Sequence, residues 1–457
     1  MLIGINNSMS LNMSLFFVYV VLGSILLLWI YLFIVSIKSF LKITSLKSTA
    51  NKITATESNP LKSNTILTKL TRLPAISKDY YHDTDITNQY SHHLPFVSVI
   101  VPARNEEKEI ERCLVSILKQ NYPSFEVIAI DDSSSDSTFE IMKKVKEETP
   151  DVADKLTILS TADYEKKPDD WFGKTWVSEK AFERSSGEII LFTDSDTNYS
   201  SPYTILTSIT YMMKENLDVL GGLPYLRLQD LLSKIVMPLW NLLSLLLSDA
   251  GKVNDPNRID IAFLLGSFFL IKRDLFMKSG TYKVVKDAIQ EDFDLAIVLK
   301  RNGCRLRLVK IDSLVSALWS RDSITLWQGI GRTIVPVAVR SLKKVLFGLF
   351  SIVYMAVVPF IICFTIIFGI VAFGWNVSNE LMFFSLVSCF TVFIGAYIKG
   401  LVQYKEKNPW YAAFSVFGAF YLAINYLINI VPLLTNRRKI VKWRGRTYEY
   451  KMPPTRQ

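Results

Sequence analysis

Three pairs of carboxylates stand where this chain of 457 residues could use them chemically. Asp194-Ser195-Asp196 follows the apolar run EIILF (Glu188–Phe192). Residues i and i+2 at a strand end point to one side. Two carboxylates so placed can hold a divalent cation that also binds a diphosphate, as magnesium does with one or two carboxylates plus substrate phosphates. Asp-X-Asp triplets also occur in ordinary surface loops, and the place at a strand end gives this one its weight. Asp131-Asp132 close a second run, EVIAI (Glu126–Ile130), ahead of three serines and Asp136. Ser135 or Asp136 suits a helix N-cap. Two adjacent carboxylates exceed what a cap needs and would suit a nucleobase imide N–H or a ribose hydroxyl. Glu291-Asp292 open a helical pattern marked by Phe293, Ala296, Ile297 and Leu299. Acids there compensate the helix dipole, and the chemical alternative is a general base. The three histidines, His82, His92 and His93, share one polar stretch, so acid–base and metal work falls on carboxylates. Cys113, Cys304, Cys363 and Cys389 are too scattered for a zinc site or a disulfide framework.

The elements that position these groups alternate. Strands are expected at Phe96–Val101, Glu126–Ile130, Leu156–Leu159 and Glu188–Phe192. Helices are expected at Glu106–Gln120, Asp136–Glu147 and Lys174–Arg184. Strands alternating with helices predict an α/β domain with a mostly parallel sheet. Ligands of such sheets bind beyond the carboxyl ends of the strands. Polar residues collect at three of those ends: Arg104–Glu106, Asp131–Asp132 and Asp194–Asp196.

Composition adds a membrane. Half of the residues are hydrophobic, 21% are charged and the net charge is +10. That is too apolar for a soluble domain and too charged for an all-membrane transporter. With 28 Phe, 20 Tyr and 9 Trp, disorder is excluded as the main state. No nucleic-acid-binding signature accompanies the positive charge. Residues 15–37 are uncharged at 15–37, long enough to span roughly 30 Å of hydrocarbon, and Lys38, Lys42 and Lys47 place the following side in the cytoplasm. A basic polar linker is expected at 38–94, then a globular domain at 95–340. Residues 345–434 read as about three transmembrane helices, and 435–457 as a basic tail. The Leu-rich segment 228–248, with Asp230, Lys234 and Pro238, reads as an interfacial or acceptor-facing helix. Four spans would put the tail opposite the globular domain, whereas the positive-inside rule places it in the cytoplasm. The two arguments disagree.

Taken together, the motifs resemble the family 2 glycosyltransferases of the GT-A fold. VSVIVPARNE (Val97–Glu106) matches that family's opening, KQNYPSFEVIAIDDSSSDST (Lys119–Thr138) its nucleotide-binding segment, and DSD (Asp194–Asp196) its DxD. GSFFLIKRD (Gly266–Asp274) resembles the acceptor-side strand, and QED (Gln290–Asp292) stands at the base. The resemblance covers about residues 96–335. Within the family the chain is similar to membrane-anchored ceramide, hopanoid and carotenoid glucosyltransferase-type proteins. WFGKTW (Trp171–Trp176), the anchor plus C-terminal membrane cluster, and KWRGRTY (Lys442–Tyr448) carry this looser likeness. Polymer-forming members have QxxRW after the base. Here the stretch is WQGIGRT (Trp327–Thr333), which favours transfer of a single sugar.

The resemblance implies a Rossmann-like GT-A domain in the cytoplasm, joined to transmembrane helices of a multi-pass cell-membrane protein. It implies an inverting hexosyltransferase that moves one sugar from a nucleotide-sugar donor, a UDP-sugar, to a membrane lipid hydroxyl. The alternative is a polyprenyl-phosphate glycosyltransferase or a polysaccharide synthase. Pro102, Ala103, Arg104 and Glu106 are implied to line the uridine site, and Asp132 to contact the base. Asp194 would contact ribose or metal-bound water, and Asp196 would ligate Mg²⁺ or Mn²⁺. Asp292 would be the general base, and Lys174 would neutralise a phosphate. Gly266, Glu291, Gln328 and Arg332 are candidates for acceptor or diphosphate contacts. Arg444 and Arg446 would reach the donor only from a cytoplasmic tail. No nucleic acid partner is implied.

Overall fold

The computed structural model describes residues 16–31, 94–248, 252–288, 290–404, 408–435, 439–443 and 446–450. Residues 15 and 32–37 of the expected anchor, the linker apart from Leu94, and the tail arginines Arg437, Arg438 and Arg444 lie outside the described residues. The chain forms two compact units interleaved in sequence, one of Phe40–Arg227 with Asp249–Trp319 and one of the remaining segments.

The first unit has ten strands in chain order: β1 (Val97–Ala103), β2 (Phe125–Asp131), β3 (Leu156–Ser160), β4 (Ile189–Phe192), β5 (Thr197–Tyr199), β6 (Val219–Leu223), β7 (Tyr225–Leu228), β8 (Phe269–Lys272), β9 (Leu306–Lys310) and β10 (Val315–Ser320). Seven make the main sheet, ordered β3-β2-β1-β4-β8-β6-β9, and β5-β10-β7 make a small second one. The main sheet is parallel except for β8, which runs against both β4 and β6. This is the mostly parallel α/β arrangement expected of a GT-A domain.

The sheet forms because its strands are apolar on both faces, which a parallel sheet covered by helices requires. Val97, Val99 and Val101 face one side and Ile100 the other, all fully buried. The first face packs under α1 (Ile110–Leu118), α2 (Thr138–Glu148) and α4 (Thr204–Lys214). The second packs under α3 (Gly173–Arg184), α5 (Arg273–Lys278) and α6 (Glu291–Arg301). Helix α1 starts four residues later than its periodicity predicts. Glu106–Glu109 instead make a turn in which the N–H groups of Glu109 and Ile110 both donate to the Glu106 carbonyl.

Among the described residues of the second unit three helices are long and apolar enough to cross a membrane: Leu342–Phe373, Asn379–Leu401 and Trp410–Leu434. They match the expected cluster at 345–434. The described part of the expected anchor is a shorter apolar helix, Phe16–Tyr31. Pro359, which lacks an N–H, sits in the first turn of the helical segment Val358–Phe373, just after a π-helical turn at Val353–Val357, so the chain accommodates it as a local bulge. The Leu-rich segment forms one helix, Leu231–Ser248, and buries Val236, Met237, Leu239 and Trp240. A Cβ on Gly418 would lie 2.7 Å from the Ile235 carbonyl oxygen, so this helix and Ser415–Leu434 approach backbone to backbone there. The part of this helix from Ile235 to Trp240 thus packs within the unit.

The helix Ser323–Arg340, placed by sequence at the end of the 95–340 domain, belongs to this second unit. The reason is packing: Asn425 Nδ2 donates to the Trp327 carbonyl, and Gly331 abuts the Asn429 amide. Amide side chains buried between apolar helices need such partners.

Candidate active site

Strand order brings the candidate residues together. Because β2, β1 and β4 are adjacent and parallel, their carboxyl ends line one edge, with Ala103 opposite Asp131. Beyond that edge the loops after β1 and β2 lock to each other. The Asn105 N–H donates to Ser134 Oγ at 3.0 Å, the Ser135 N–H donates to Asn105 Oδ1 at 2.8 Å, and the Glu106 N–H donates to Thr138 Oγ1 at 2.7 Å. Asn105 and Ser133 both sit at positive φ, 53° and 52°. Such left-handed conformations are uncommon outside glycine and cluster at ligand sites. The Arg104 guanidinium donates to the Asp132 and Ser133 carbonyls, the latter at 3.1 Å. Asp132 is buried, its N–H donating to the Ala103 carbonyl. Asp131 Oδ1 is buried with no hydrogen-bond partner, while its Oδ2 accepts from the Ser134 N–H. Pro102, Ala103, Arg104, Glu106 and Asp132 thus lie together in the two interlocked loops after β1 and β2.

After β4 the chain turns through Asp194-Ser195-Asp196. Ser195 is buried and the two aspartates are half-buried. The turn is held by its carbonyls. The Asp194 carbonyl accepts from Thr197 Oγ1 at 2.8 Å and from the Thr197 N–H at 3.2 Å. Carboxylate oxygens are the ligand type that Mg²⁺ and Mn²⁺ prefer. Among the described residues no group of three or more His, Cys, Asp or Glu side chains converges as a metal cage. A cation here would need diphosphate or water oxygens to complete its shell.

The reversal of β8 matters next. Phe269 pairs with Phe192, so the start of β8 lies at the end of β4. Gly266, three residues ahead of β8, therefore lands beside Asp194. A Cβ on Gly266 would meet Lys174 Nζ at 2.4 Å and the Asp194 carboxylate at 3.2 and 3.3 Å. The Gly266 N–H donates to Asp292 Oδ2 at 3.0 Å. Lys174, in the first turn of α3, bridges Asp194 Oδ1 at 2.7 Å and Glu291 Oε1 at 2.8 Å. Asp194, Lys174, Glu291 and Asp292 therefore form one charge cluster fed by β4, α3, the approach to β8 and α6.

The electrostatics follow. Burial, and then the neighbouring Glu291, pushes the Asp292 carboxyl up to about 6, although Lys174 and the Gly266 N–H act in the other direction. Burial opposes the charge on Lys174, but Asp194, Glu291 and Asp292 outweigh it and hold the ammonium well above its ordinary value. Burial and Glu291 likewise raise the nearby Tyr282 phenol.

Gln328 and Arg332 lie four residues apart on the helix Ser323–Arg340 of the second unit, both half-buried. They are not members of the cluster in the first unit. Sequence reasoning missed a second group beside Asp196. Arg227 on β7 donates from Nη2 to the Asp196 carbonyl at 3.0 Å and to Glu109 Oε2 at 2.9 Å, and Arg112 pairs with the same Glu109 carboxylate. The alternation of YLRL in β7 is the one local signal, and it says only that Arg227 faces away from its neighbours.

The unit thus carries a paired-carboxylate turn after β4, with Lys174 bridging Asp194 and Glu291. Residues 98–280 match the family model described as glycosyl transferase family 2, and this segment is a family 2 glycosyltransferase domain. The chain is 31% identical over 131 residues to glycosyltransferase AglE of Haloferax volcanii, covering 28% of this chain and 39% of that one. It is 29% identical over 144 residues to the UDP-Glc:alpha-D-GlcNAc-diphosphoundecaprenol beta-1,3-glucosyltransferase WfgD of Escherichia coli, covering 31% of this chain and 51% of that one. The chain spans about half or less of the length of these curated relatives. Among solved structures, the mannosyltransferase PcManGT from Pyrobaculum calidifontis in complex with GDP-Man and Mn²⁺ aligns at a TM-score of 0.45 and 18% identity, covering 89% of this chain and 99% of that one.

Proposed function

We propose that this chain is an inverting, metal-dependent hexosyltransferase that moves one sugar from a UDP-sugar to the hydroxyl of a membrane lipid. The observation that carries this reading is the continuous cluster Asp194–Lys174–Glu291–Asp292. It joins the paired-carboxylate turn to a carboxyl whose pKa is lifted to about 6, a value suited to a base working near neutrality.

Each residue has a role in this reading. Pro102, Ala103, Arg104 and Glu106 wall the nucleoside, and Asp132 accepts from the base. Asp196 would hold Mg²⁺ or Mn²⁺, which would neutralise the leaving diphosphate as a Lewis acid, and Asp194 would contact ribose or metal-bound water. The carboxylate pair of this turn is the oxygen donor set that such an ion takes together with phosphate oxygens. Lys174 adds positive charge where the leaving group develops negative charge. Asp292 takes the proton of the acceptor hydroxyl. The acceptor oxygen then bonds to the anomeric carbon as the bond from that carbon to the diphosphate breaks, and the electron pair leaves with the nucleoside diphosphate. In-line attack on an α-linked donor gives a β-glycoside. Gln328 and Arg332 are assigned to acceptor or diphosphate.

A lipid acceptor is supported by the three span-length helices in the same chain and by the E. coli relative, named for glucose transfer to a lipid-diphosphate-linked sugar. Lys38, Lys42 and Lys47 support a cytoplasmic catalytic domain. The test is a donor screen. Reconstituted protein is incubated with UDP- and GDP-sugars, Mn²⁺ and a total lipid extract, and lipids are weighed by mass spectrometry. One lipid gaining one hexose from a UDP-sugar is the expected result. A ladder of long products, or a hexose on a polyprenyl phosphate, would overturn it.

A further inference from the structure

We propose that Arg227 is a positioning residue that fixes Asp196, the metal ligand of the reading above, by clamping its main chain to Glu109. The proposal rests on that reading. Three pieces of chain meet at one nitrogen: Arg227 Nη2 donates to the Asp196 carbonyl at 3.0 Å and to Glu109 Oε2 at 2.9 Å. The Leu318 N–H donates to the same carbonyl at 3.3 Å, so the peptide after Asp196 is tied down by two donors from the small sheet. The Glu109 side chain is only 7% exposed and that of Arg227 18%. Charge-assisted bonds of this kind are stronger than neutral ones, and partial burial protects them from screening.

The clamp also balances charge. Arg112 and Arg227 both lie close enough to Asp196 to feel its charge. Two guanidiniums beside a cation ligand would repel the incoming ion. Glu109 is shared between them and leaves one net positive charge. Arg112 is 40% exposed and pairs with Glu109 rather than with the Asp196 main chain. The two arginines are therefore separable: Arg227 positions the turn, and Arg112 only adds charge.

The test titrates Mn²⁺ by electron paramagnetic resonance into the full-length chain with UDP, for wild type, Arg227→Ala, Arg227→Lys and Arg112→Ala, with thermal melts of each. Outer partners of metal ligands typically change metal affinity about 10- to 100-fold. Arg227→Ala is expected to raise the Mn²⁺ Kd about tenfold or more and the KM for Mn²⁺ in parallel, with kcat largely kept at saturating Mn²⁺. Arg227→Lys, whose ammonium can reach both oxygens, should recover most of that loss. Arg112→Ala should stay within about twofold of wild type. Wild-type Mn²⁺ affinity in Arg227→Ala would overturn the proposal while leaving the cation site standing. So would equal losses in Arg227→Ala and Arg227→Lys that track a lowered melting temperature. Failure of the wild type itself to bind Mn²⁺ with UDP would overturn the cation site, and this proposal with it.

Discussion

The Gly266 N–H points at Asp292 Oδ2 from 3.0 Å, so the main chain just ahead of β8 orients the carboxyl assigned as base. The bond fixes one oxygen and leaves the other carboxylate oxygen to its own helix, where Oδ1 accepts from the Phe293 N–H.

Removing that base should stop chemistry but not donor binding. Asp292→Asn is expected to lower kcat by about 10²- to 10⁴-fold, with UDP affinity within a few-fold of wild type. The base works when ionised, and its pKa is raised to about 6. The wild-type kcat/KM should therefore climb as pH rises through about 6 and then level off. A pH profile of both proteins checks this, and a variant with the same acidic limb as wild type would clear Asp292 of the role.

Lys174 lowers the pKa of Asp292 and neutralises Asp194 and Glu291. Lys174→Met should move the acidic limb to higher pH and cut kcat/KM by about a hundredfold. Stopped-flow or steady-state assays across pH 5 to 8 would reveal an unmoved limb, and that would remove Lys174 from the electrostatic argument.

Gly266 should tolerate no side chain at full activity. The nearest atom to an added Cβ, at 2.4 Å, is the far end of a flexible lysine, so Gly266→Ala is expected to fold. It should displace Lys174 from Asp194 and cost roughly a hundredfold in kcat, as small misplacements in active sites do. Equal melting temperatures with unequal turnover would be the signature.

Much of this was legible in advance, and the reason is local. β1, β2 and β4 announce themselves by short apolar runs, α1 and α6 by helical spacing, and Asp194-Ser195-Asp196 by its place after a strand. What escaped depends on contacts between distant positions. Arg227 and Glu109 lie 118 residues apart, and nothing in either neighbourhood specifies the other. The reversed direction of β8 is equally silent, since GSFFLIKRD reads the same in a parallel or antiparallel strand. The burial of Val236–Trp240 in the helix at 231–248 is silent too, since Asp230, Lys234 and Pro238 suggest only a surface.

Asp218 gives a prediction about stability. Its carboxylate is met by Lys272 Nζ at 2.8 Å from β8 and by the Arg305 N–H at 3.0 Å ahead of β9. Burial opposes its charge, but these bonds lower its pKa to about 2. A depressed carboxylate stabilises the fold above its unfolded pKa, near 4, and the gain is lost as pH falls through about 2. Asp218→Asn should cost on the order of 3 kcal/mol near neutrality, measured by denaturant unfolding. The difference from wild type should shrink in acid.

The interleaving of the two units has a practical corollary for anyone wishing to isolate the sugar-transfer half. The cluster draws Lys174 and Asp194 from before the helix Leu231–Ser248, and Gly266 and Asp292 from after it. Cutting the gene at either end of that helix discards half of the chemistry. A fragment that keeps both halves keeps an 18-residue helix with eight leucines as well. A water-soluble version calls for internal surgery, with that helix exchanged for a short polar bridge, rather than for trimming at the termini.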